Sequence, residues 1–400
     1  MAKQKILNDP IYGLISFPFD SIYDLMDHPW FQRLRRISQV GLTNFVYPGA
    51  THSRFHHTLG VVHLCDRLIR ILKSKGVIIR PEEHEACCLA ALFHDMGHGP
   101  FSHSLEFELI PRHHEEISLE IMRRINDEMD NRLELALAIF KGEYNRTFYN
   151  QILSGQLDVD RMDYLNRDSY YTGVAEGIIG YERILAMMNV FEGRLVIEEK
   201  GIFSIEKFLL SRYLMYRQVY LHHASLSAEY TLKMFIRRYA EVKDALDDPL
   251  KHPALDKLLD LRTAPIDDQI GSFIQVDDID VTMLLKKAMD ADDTILQVCA
   301  QSLLNRKLFR TLWSYEVFDE SVKNDVIATI SRCMNIPSDH AAKLIVAYDF
   351  MVDYYKEENE IEILKKDKNK TEPLSLVSKL NNFNQKENLH FLTFPKGMTS

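Results

Sequence analysis

The chain contains no apolar run near the ~18 residues that a membrane span requires, no C-x-x-C pair and no internal repeat. The first absence excludes an integral membrane protein of the helical kind. The second leaves five cysteines, Cys65, Cys87, Cys88, Cys299 and Cys333, with no disulfide or zinc-finger framework to build. The vicinal pair Cys87-Cys88 sits in an apolar stretch and reads as reduced core. The third absence excludes a solenoid. Positive charge is also short, 48 Lys+Arg against 58 Asp+Glu for a net charge of −10. That balance argues against broad electrostatic binding to extended nucleic acid or to an anionic membrane. No signal peptide is read at the start, and the expected compartment is the cytoplasm.

What is present is an ordinary globular composition, 46% hydrophobic and 26% charged. A chain of 400 residues can bury a large core as one broad domain or two closely packed ones. Helical periodicity dominates. Trp30, Leu34 and Ile37 space a helix over Ser21–Val40, and Val61, Cys65, Leu68 and Leu72 space another from about His56 to Lys73. Residues 203–245 form a long helical stretch rich in Tyr and Arg, and 276–357 a smaller helical segment. Strand signals reduce to one small hairpin, Arg194–Glu198 with Gly201–Ile205 around Glu199-Lys200. The fold class expected is all-α. Residues 1–245 would form the core that carries the chemistry, and 246–400 a helical C-terminal region with a mobile segment near 365–388. The closing His390-Phe-Leu-Thr-Phe-Pro is too apolar for a free tail and is expected to dock.

The chemistry-bearing residues are His57, the dipeptide His94-Asp95, and Asp160. Two imidazoles and two carboxylates suit one borderline divalent cation and leave coordination positions for water or a phosphate oxygen. The dipeptide ends the unbroken apolar run Ala86–Phe93, which reads as a buried helix stopped by Gly97, Gly99 and Pro100. A charged side chain at the end of a buried helix costs several kcal/mol unless it is paired or metal-bound. Adjacent helical residues point about 100° apart, so the glycines would allow the distortion that brings both to one ion.

The blocks YPGATHSRFHHTLGVVHL, CCLAALFHDMGHGPFSHSLE and LDVDRMDYLNRDSYYTG together resemble the HD-domain phosphohydrolases, most nearly the deoxynucleoside triphosphate triphosphohydrolase branch. The resemblance implies a helical HD core in which His57, His94, Asp95 and Asp160 bind one divalent ion, with Mn, Fe, Co, Ni, Zn and Mg all open and a further Mg on the substrate phosphates. It assigns His103 as general acid supported by Glu106, where a relative carries Asp, and His114 as a further active-site histidine, with His113 competing for that place. Arg54, His98 and Arg161 would face the triphosphate, although relatives often carry Lys at the last of these. Gln39, Tyr164 and Asp168 would hold the sugar 3′-hydroxyl and crowd C2′, and Arg212 and Tyr220 would reach phosphate and base or sugar. Asp27, Gln32 and Arg35 match residues that read an activating guanine nucleotide, dGTP or GTP, in allosteric relatives. A homo-oligomer, dimer or tetramer, is implied as well. The expected activity is hydrolysis of dNTPs to deoxynucleoside and inorganic triphosphate. The alternatives are an HD phosphohydrolase of another nucleotide, a monophosphate or a signalling nucleotide, and a non-catalytic nucleotide-sensing scaffold.

Overall fold

The structure, a computed structural model, describes residues 5–247, 250–353, 355, 360–367, 370–379 and 386–397. The lead-in is a two-stranded antiparallel ribbon, β1 (Leu7–Asp9) with β2 (Gly13–Ile15), followed by α1 (Asp20–Met26) and α2 (Pro29–Gln32). The body comprises α3 (Arg54–Ser74), α4 (Pro81–Phe93), α5 (His114–Glu128), α6 (Glu134–Phe140), α7 (Phe148–Leu153) and α8 (Val159–Thr172). Then come α9 (Tyr181–Met187), α10 (Ile202–Met215) and α11 (His223–Val242). The remainder holds α12 (Pro253–Asp260), α13 (Ile266–Phe273), α14 (Asp278–Lys287), α15 (Thr294–Leu304), α16 (Glu320–Met334), α17 (Ser338–Ala342) and α18 (Leu374–Val377).

Local sequence explains the three helices that matter most. α3 starts at the N-cap Ser53, whose backbone N–H donates to His56 Nδ1 at 3.2 Å. α4 has Pro81 at its first turn and Glu83 accepting the Arg80 N–H at 2.8 Å, a favourable start for a helix. Its Ala86–Phe93 run is buried throughout, and Leu89, Leu92 and Phe93 each contribute roughly 1.5–3 kcal/mol by leaving water. α8 is capped by Asp158, whose carboxylate accepts the Arg161 N–H at 2.7 Å, and it stops at Gly173 with φ 76°, the left-handed exit that glycine permits. One buried apolar cluster runs from Ile15 through these helices to Phe394.

The expectation of a wholly helical chain is corrected. The body is helical, but the described residues also form β1-β2 and two further sheets, in spatial order β3 (Met188–Phe191), β4 (Arg194–Glu198), β7 (Glu362–Leu364), β8 (Thr371–Pro373), and β5 (Arg310–Ser314), β9 (Lys386–Phe394), β6 (Val346–Asp353). β4 (Arg194–Glu198) lies where the hairpin was expected, yet its antiparallel partner is β3 (Met188–Phe191), and 202–205 belong to α10. The turn explains this. Glu192 and Gly193 both have positive φ, 49° and 79°, the geometry that two-residue hairpins favour. β4 also pairs parallel with β7 (Glu362–Leu364), which in turn pairs with β8 (Thr371–Pro373).

The stretch 276–357 includes strands β5 (Arg310–Ser314) and β6 (Val346–Asp353). In β6 the alternation of Val346, Tyr348, Phe350 and Val352 is a period-two pattern that belongs to a strand. The closing apolar segment does dock. β9 (Lys386–Phe394) is the central strand between β5 and β6. Of the segment 365–388, residues 371–377 form β8 and α18, while 368–369 and 380–385 lie outside the described residues. The single helix expected over Ser21–Val40 is instead α1, α2 and a 3-10 turn at Arg33–Arg36. Pro29 forces the break, because His28 before it must be extended, at φ −64° and ψ 135°.

Candidate active site

α3, α4 and α8 bring His57, His94, Asp95 and Asp160 to one point. His57 Nε2 is 3.0 Å from Asp160 Oδ1 and 3.4 Å from Asp95 Oδ2. His94 Nε2 is 3.3 Å from His57 Nε2, 3.4 Å from Asp95 Oδ1 and 3.8 Å from Asp160 Oδ1. Donor atoms that share one ion sit about 3–4 Å from one another. One donor atom each from His57, His94 and Asp160 lies within 4.8 Å of the other two, the spacing of a single cation site, and Asp95 borders that group through a different oxygen toward each histidine. The tautomers agree. His57 Nδ1 is 2.7 Å from Asp163 Oδ2 and His94 Nδ1 is 2.7 Å from the Ala91 carbonyl. With a carboxylate and a carbonyl as acceptors at the two Nδ1 atoms, both Nε2 atoms are left facing each other and the carboxylates, the orientation in which they would meet a shared cation or, without one, a proton.

Charge points the same way. Burial alone would lower the His57 pKa, yet hydrogen bonds to Asp160 and Asp163, with the charges of Asp163 and Asp95, hold it up to about 10. The pocket draws positive charge. Asp95 and Asp160, despite burial, stay below the usual carboxylate range through Arg54 and the histidines for Asp95 and through His57 and His94 for Asp160. Gly97 contributes in a way different from that expected. A Cβ there would meet the His114 carbonyl at 2.0 Å and the Ser118 nitrogen at 2.5 Å, so the glycine lets α5 approach the end of α4 rather than untwisting it.

A second cluster borders the first. His98 is buried, its Nε2 is 3.3 Å from Asp95 Oδ1, and its Nδ1 has no protein partner. Burial, with Arg54 and His114 nearby, keeps its pKa well below the ordinary value, so it is neutral. Its ring stacks on His114 at 3.9 Å and meets His103 edge-on at 4.7 Å. Glu106 joins the other two. Oε2 is 2.7 Å from His103 Nδ1, and Oε1 is 2.8 Å from His114 Nδ1. Against burial, these two hydrogen bonds keep the Glu106 carboxyl ionised. His114 has a side chain 22% exposed, whereas His113 is 3.9 Å from Glu106 with a side chain 68% exposed. His114 is the histidine that faces inward. The His103 side chain is 63% exposed and open to a ligand.

Arg54 is buried and pairs with Asp95 while its Nε donates to Ser102 Oγ at 2.8 Å. Arg161 pairs with Asp158, and its Nε has no hydrogen-bond partner. Asp168 accepts from Tyr220 Oη at 2.7 Å, and Tyr164 meets Tyr220 edge-on with centroids 6.1 Å apart. The Arg212 guanidinium lies 5.8 Å from the Tyr216 ring, in the π-helical turn Tyr216–Tyr220 between α10 and α11. Gln39 is buried and its Oε1 is unpaired. The Asp27, Gln32 and Arg35 trio is partly joined: Gln32 Nε2 donates to the Met26 carbonyl beside Asp27 at 2.6 Å. Asp27 pairs with Lys5 at 2.6 Å, while Arg35 Nε donates to Gln32 Oε1 at 2.7 Å and its guanidinium lies 3.6 Å over Phe55.

Sequence reasoning missed three groups. His52 lies two residues before Arg54, is fully enclosed, and holds Asp168 Oδ1 at 2.7 Å; its Nδ1 is unpaired and its ring stacks on Tyr171. Asp163, Arg167 and Asp9 form a buried relay behind His57, with Arg167 bonded to Asp163 at 2.8 and 2.9 Å and to Asp9 at 2.8 Å. Tyr216 stands 5.2 Å from Tyr220. Only the His52 position carried a local signal, one of four histidines in the block that supplies His57.

Comparison with known proteins gives the family. Residues 54–168 match the HD domain, and 179–385 match the HD associated region. A Bacillus subtilis protein, YwfO, described as uncharacterised, is 34% identical over 324 residues, covering 78% of this chain and 72% of that protein. Deoxynucleoside triphosphate triphosphohydrolase SAMHD1 of Mus musculus is 31% identical over 236 residues, 49% of this chain and 36% of that protein. Its Dictyostelium discoideum homologue is 32% identical over 61% of this chain and 52% of that protein. The chain thus spans about half or less of those two triphosphohydrolases. A crystal structure of a phosphohydrolase from Bacteroides thetaiotaomicron superposes with a TM-score of 0.93 at 40% identity, covering 98% of this chain and 100% of the other. The chain belongs to the HD-domain phosphohydrolase family, among the members in which an HD-associated region follows the HD domain.

Proposed function

We propose that the protein hydrolyses deoxynucleoside triphosphates to deoxynucleoside and inorganic triphosphate. The observation that carries this reading is the line Asp160, Tyr164, Asp168 along α8, three residues at i, i+4 and i+8 on one helical face. It runs from the cation-binding point to an enclosed polar group. There Asp168 is hydrogen-bonded to both Tyr220 and His52, and Gln39 Oε1 and His52 Nδ1 are buried without partners. Buried polar atoms left unpaired cost free energy, and a sugar hydroxyl can satisfy them. An aromatic at the Tyr164 position packs against C2′ and excludes a ribose hydroxyl.

His57, His94, Asp95 and Asp160 would hold a divalent cation, which when bound would supply Lewis-acid polarisation of a phosphoryl oxygen and a more acidic water. The protein's own groups do the rest. Arg54 and Arg161 supply fixed positive charge where the phosphate accumulates negative charge. His103, when doubly protonated, gives its Nε2 proton to the departing 5′-oxygen, and Glu106 holds its Nδ1–H and stabilises the imidazolium. His114 bonds to the other oxygen of the same carboxylate and so keeps Glu106 ionised and oriented.

The test is a product analysis with each of the four dNTPs, with and without added dGTP, in the presence of Mn, Co or Mg. Deoxynucleoside and intact triphosphate in equal amounts support the proposal. Orthophosphate release, turnover of monophosphates alone, or no turnover of any dNTP counts against it. Stimulation by dGTP would add the guanine-nucleotide site at Asp27, Gln32 and Arg35.

A further inference from the structure

We infer that Asp278, in the HD-associated region, is a positioning residue that sets the catalytic loop carrying His103. This inference rests on the function proposed above. Its basis is one carboxylate that bridges two active-site segments. Asp278 Oδ1 accepts the Phe101 N–H at 2.6 Å, while Oδ2 accepts the Ser38 N–H at 2.8 Å and the Ser38 hydroxyl at 2.6 Å. Ser38 precedes Gln39 of the sugar pocket, and Phe101 is two residues from His103.

The loop needs such a hold. Phe101 and Ser102 both have φ 54°, and two successive side-chain-bearing residues in the left-handed region are costly. Ser102 Oγ donates to the Ser38 carbonyl and accepts from Arg54 Nε at 2.8 Å, so the strained pair is also wired to the arginine that contacts Asp95. Neighbouring residues reinforce the same seam. Arg33, fully buried, donates to the His98 carbonyl at 2.9 Å and the Val276 carbonyl at 3.0 Å, and Arg36 pairs with Asp277. The associated region therefore holds the loop directly at Phe101 and, through Arg33, at His98. His103 follows Phe101 by two residues, so releasing the Asp278 bond frees the segment that leads into it.

An isosteric Asp278→Asn change turns one of the two acceptor oxygens into a donor facing N–H groups, so one side of the bridge must open. A misplacement of about 1 Å in a catalytic group can cost on the order of 10²-fold in rate. The expected result is a fall in kcat of about 10²-fold on dNTPs, with KM and metal content little changed. The loss should depend on the leaving group. Cleavage of the Pα–O5′ bond expels an alkoxide that needs the His103 proton, whereas bis-p-nitrophenyl phosphate expels a phenolate stable without one. The experiment measures both substrates with wild type, Asp278→Asn and Asp278→Glu, after confirming the fold by circular dichroism and thermal melting. A loss of at least tenfold on dNTP, with a much smaller loss on the aryl ester and partial rescue by Glu, supports the inference. Equal losses on both substrates, or unchanged dNTP turnover by a folded Asp278→Asn protein, overturns it. Should Asp278→Asn fail to fold, Ser38→Ala, which removes only the hydroxyl arm, must show a smaller loss with the same leaving-group dependence, and its absence overturns the inference. Wild-type protein inactive on every dNTP instead removes the proposed function, and this inference with it.

Discussion

Asp163 Oδ2 lies 2.7 Å from His57 Nδ1, and the same carboxylate takes two hydrogen bonds from the buried guanidinium of Arg167. Burial would raise the Asp163 pKa, but Arg167 and His57 hold it well below the usual carboxylate range. The imidazole is thereby fixed with its proton on Nδ1 and its lone pair toward the cation. Orienting partners of this kind typically account for 10–100-fold in metal affinity. Asp163→Asn should therefore weaken metal binding by about that factor, measured by competition against a chelator, while the protein stays folded. Unchanged affinity would show that His57 needs no such support.

Gly60 sits one turn beyond His57, where a Cβ would come within 1.8 Å of Asp163 Oδ1 and 2.4 Å of Arg167 Nη2. Gly to Ala inside a helix ordinarily stabilises by about 0.8–1 kcal/mol. Here neither neighbour can move, because both are locked in the buried relay. Gly60→Ala should instead destabilise by about 1–3 kcal/mol and weaken metal binding, read from denaturant unfolding with and without metal. A more stable Gly60→Ala protein would contradict the packing of α3 on α8 described above.

The sugar pocket predicts a change in selectivity. Removing the Tyr164 ring opens space beside Tyr220, so Tyr164→Ala should lower the dNTP-to-NTP ratio of kcat/KM by about 10- to 100-fold. Competition between paired deoxy- and ribonucleotides measures it. An unaltered ratio would place discrimination elsewhere.

His84 supplies a pH dependence remote from the metal. It is buried beside Asp66, with Nε2 2.9 Å from Oδ1. Burial lowers its pKa, but Asp66 and Cys88 more than reverse this and raise it from 6.5 to about 9. A histidine whose folded pKa exceeds its unfolded value stabilises fully below the unfolded pKa and loses that contribution as pH rises through the folded one. Stability should thus fall as pH rises from ~6.5 toward ~9. Thermal melts across that range should show the decline in wild type and a flatter profile in His84→Gln. A wild-type profile that rises with pH would reverse the assignment.

The candidate cation-binding residues were legible because they fall in three short blocks, and the end of a buried helix is a place where His94 and Asp95 need partners. The relay behind them was not. Arg167 reaches Asp9 across 158 positions, and no local pattern announces such a pairing. His52 was passed over because four histidines crowd that block, and only geometry separates the candidate ligand His57 from the helix-capping His56, from His63 beside Tyr12 and from His52 bonded to Asp168. The β-sheet near the C-terminus was readable, since Val346 to Val352 alternates with period two, but the surrounding helices and the charged run at 365–370 masked it. Asp278 carries no motif. Its importance appears only when Phe101 and Ser38 are seen to share its two oxygens.

The most direct test of the central claim is the fate of solvent oxygen when a dNTP is turned over in ¹⁸O-water. Attack on the α-phosphorus with expulsion of the 5′-oxygen places one ¹⁸O in the inorganic triphosphate and none in the deoxynucleoside. The label should vanish with activity in His94→Gln and Asp160→Asn proteins. Label found in orthophosphate or in a deoxynucleoside mono- or diphosphate would show cleavage at another bond, and the proposed reaction would be wrong.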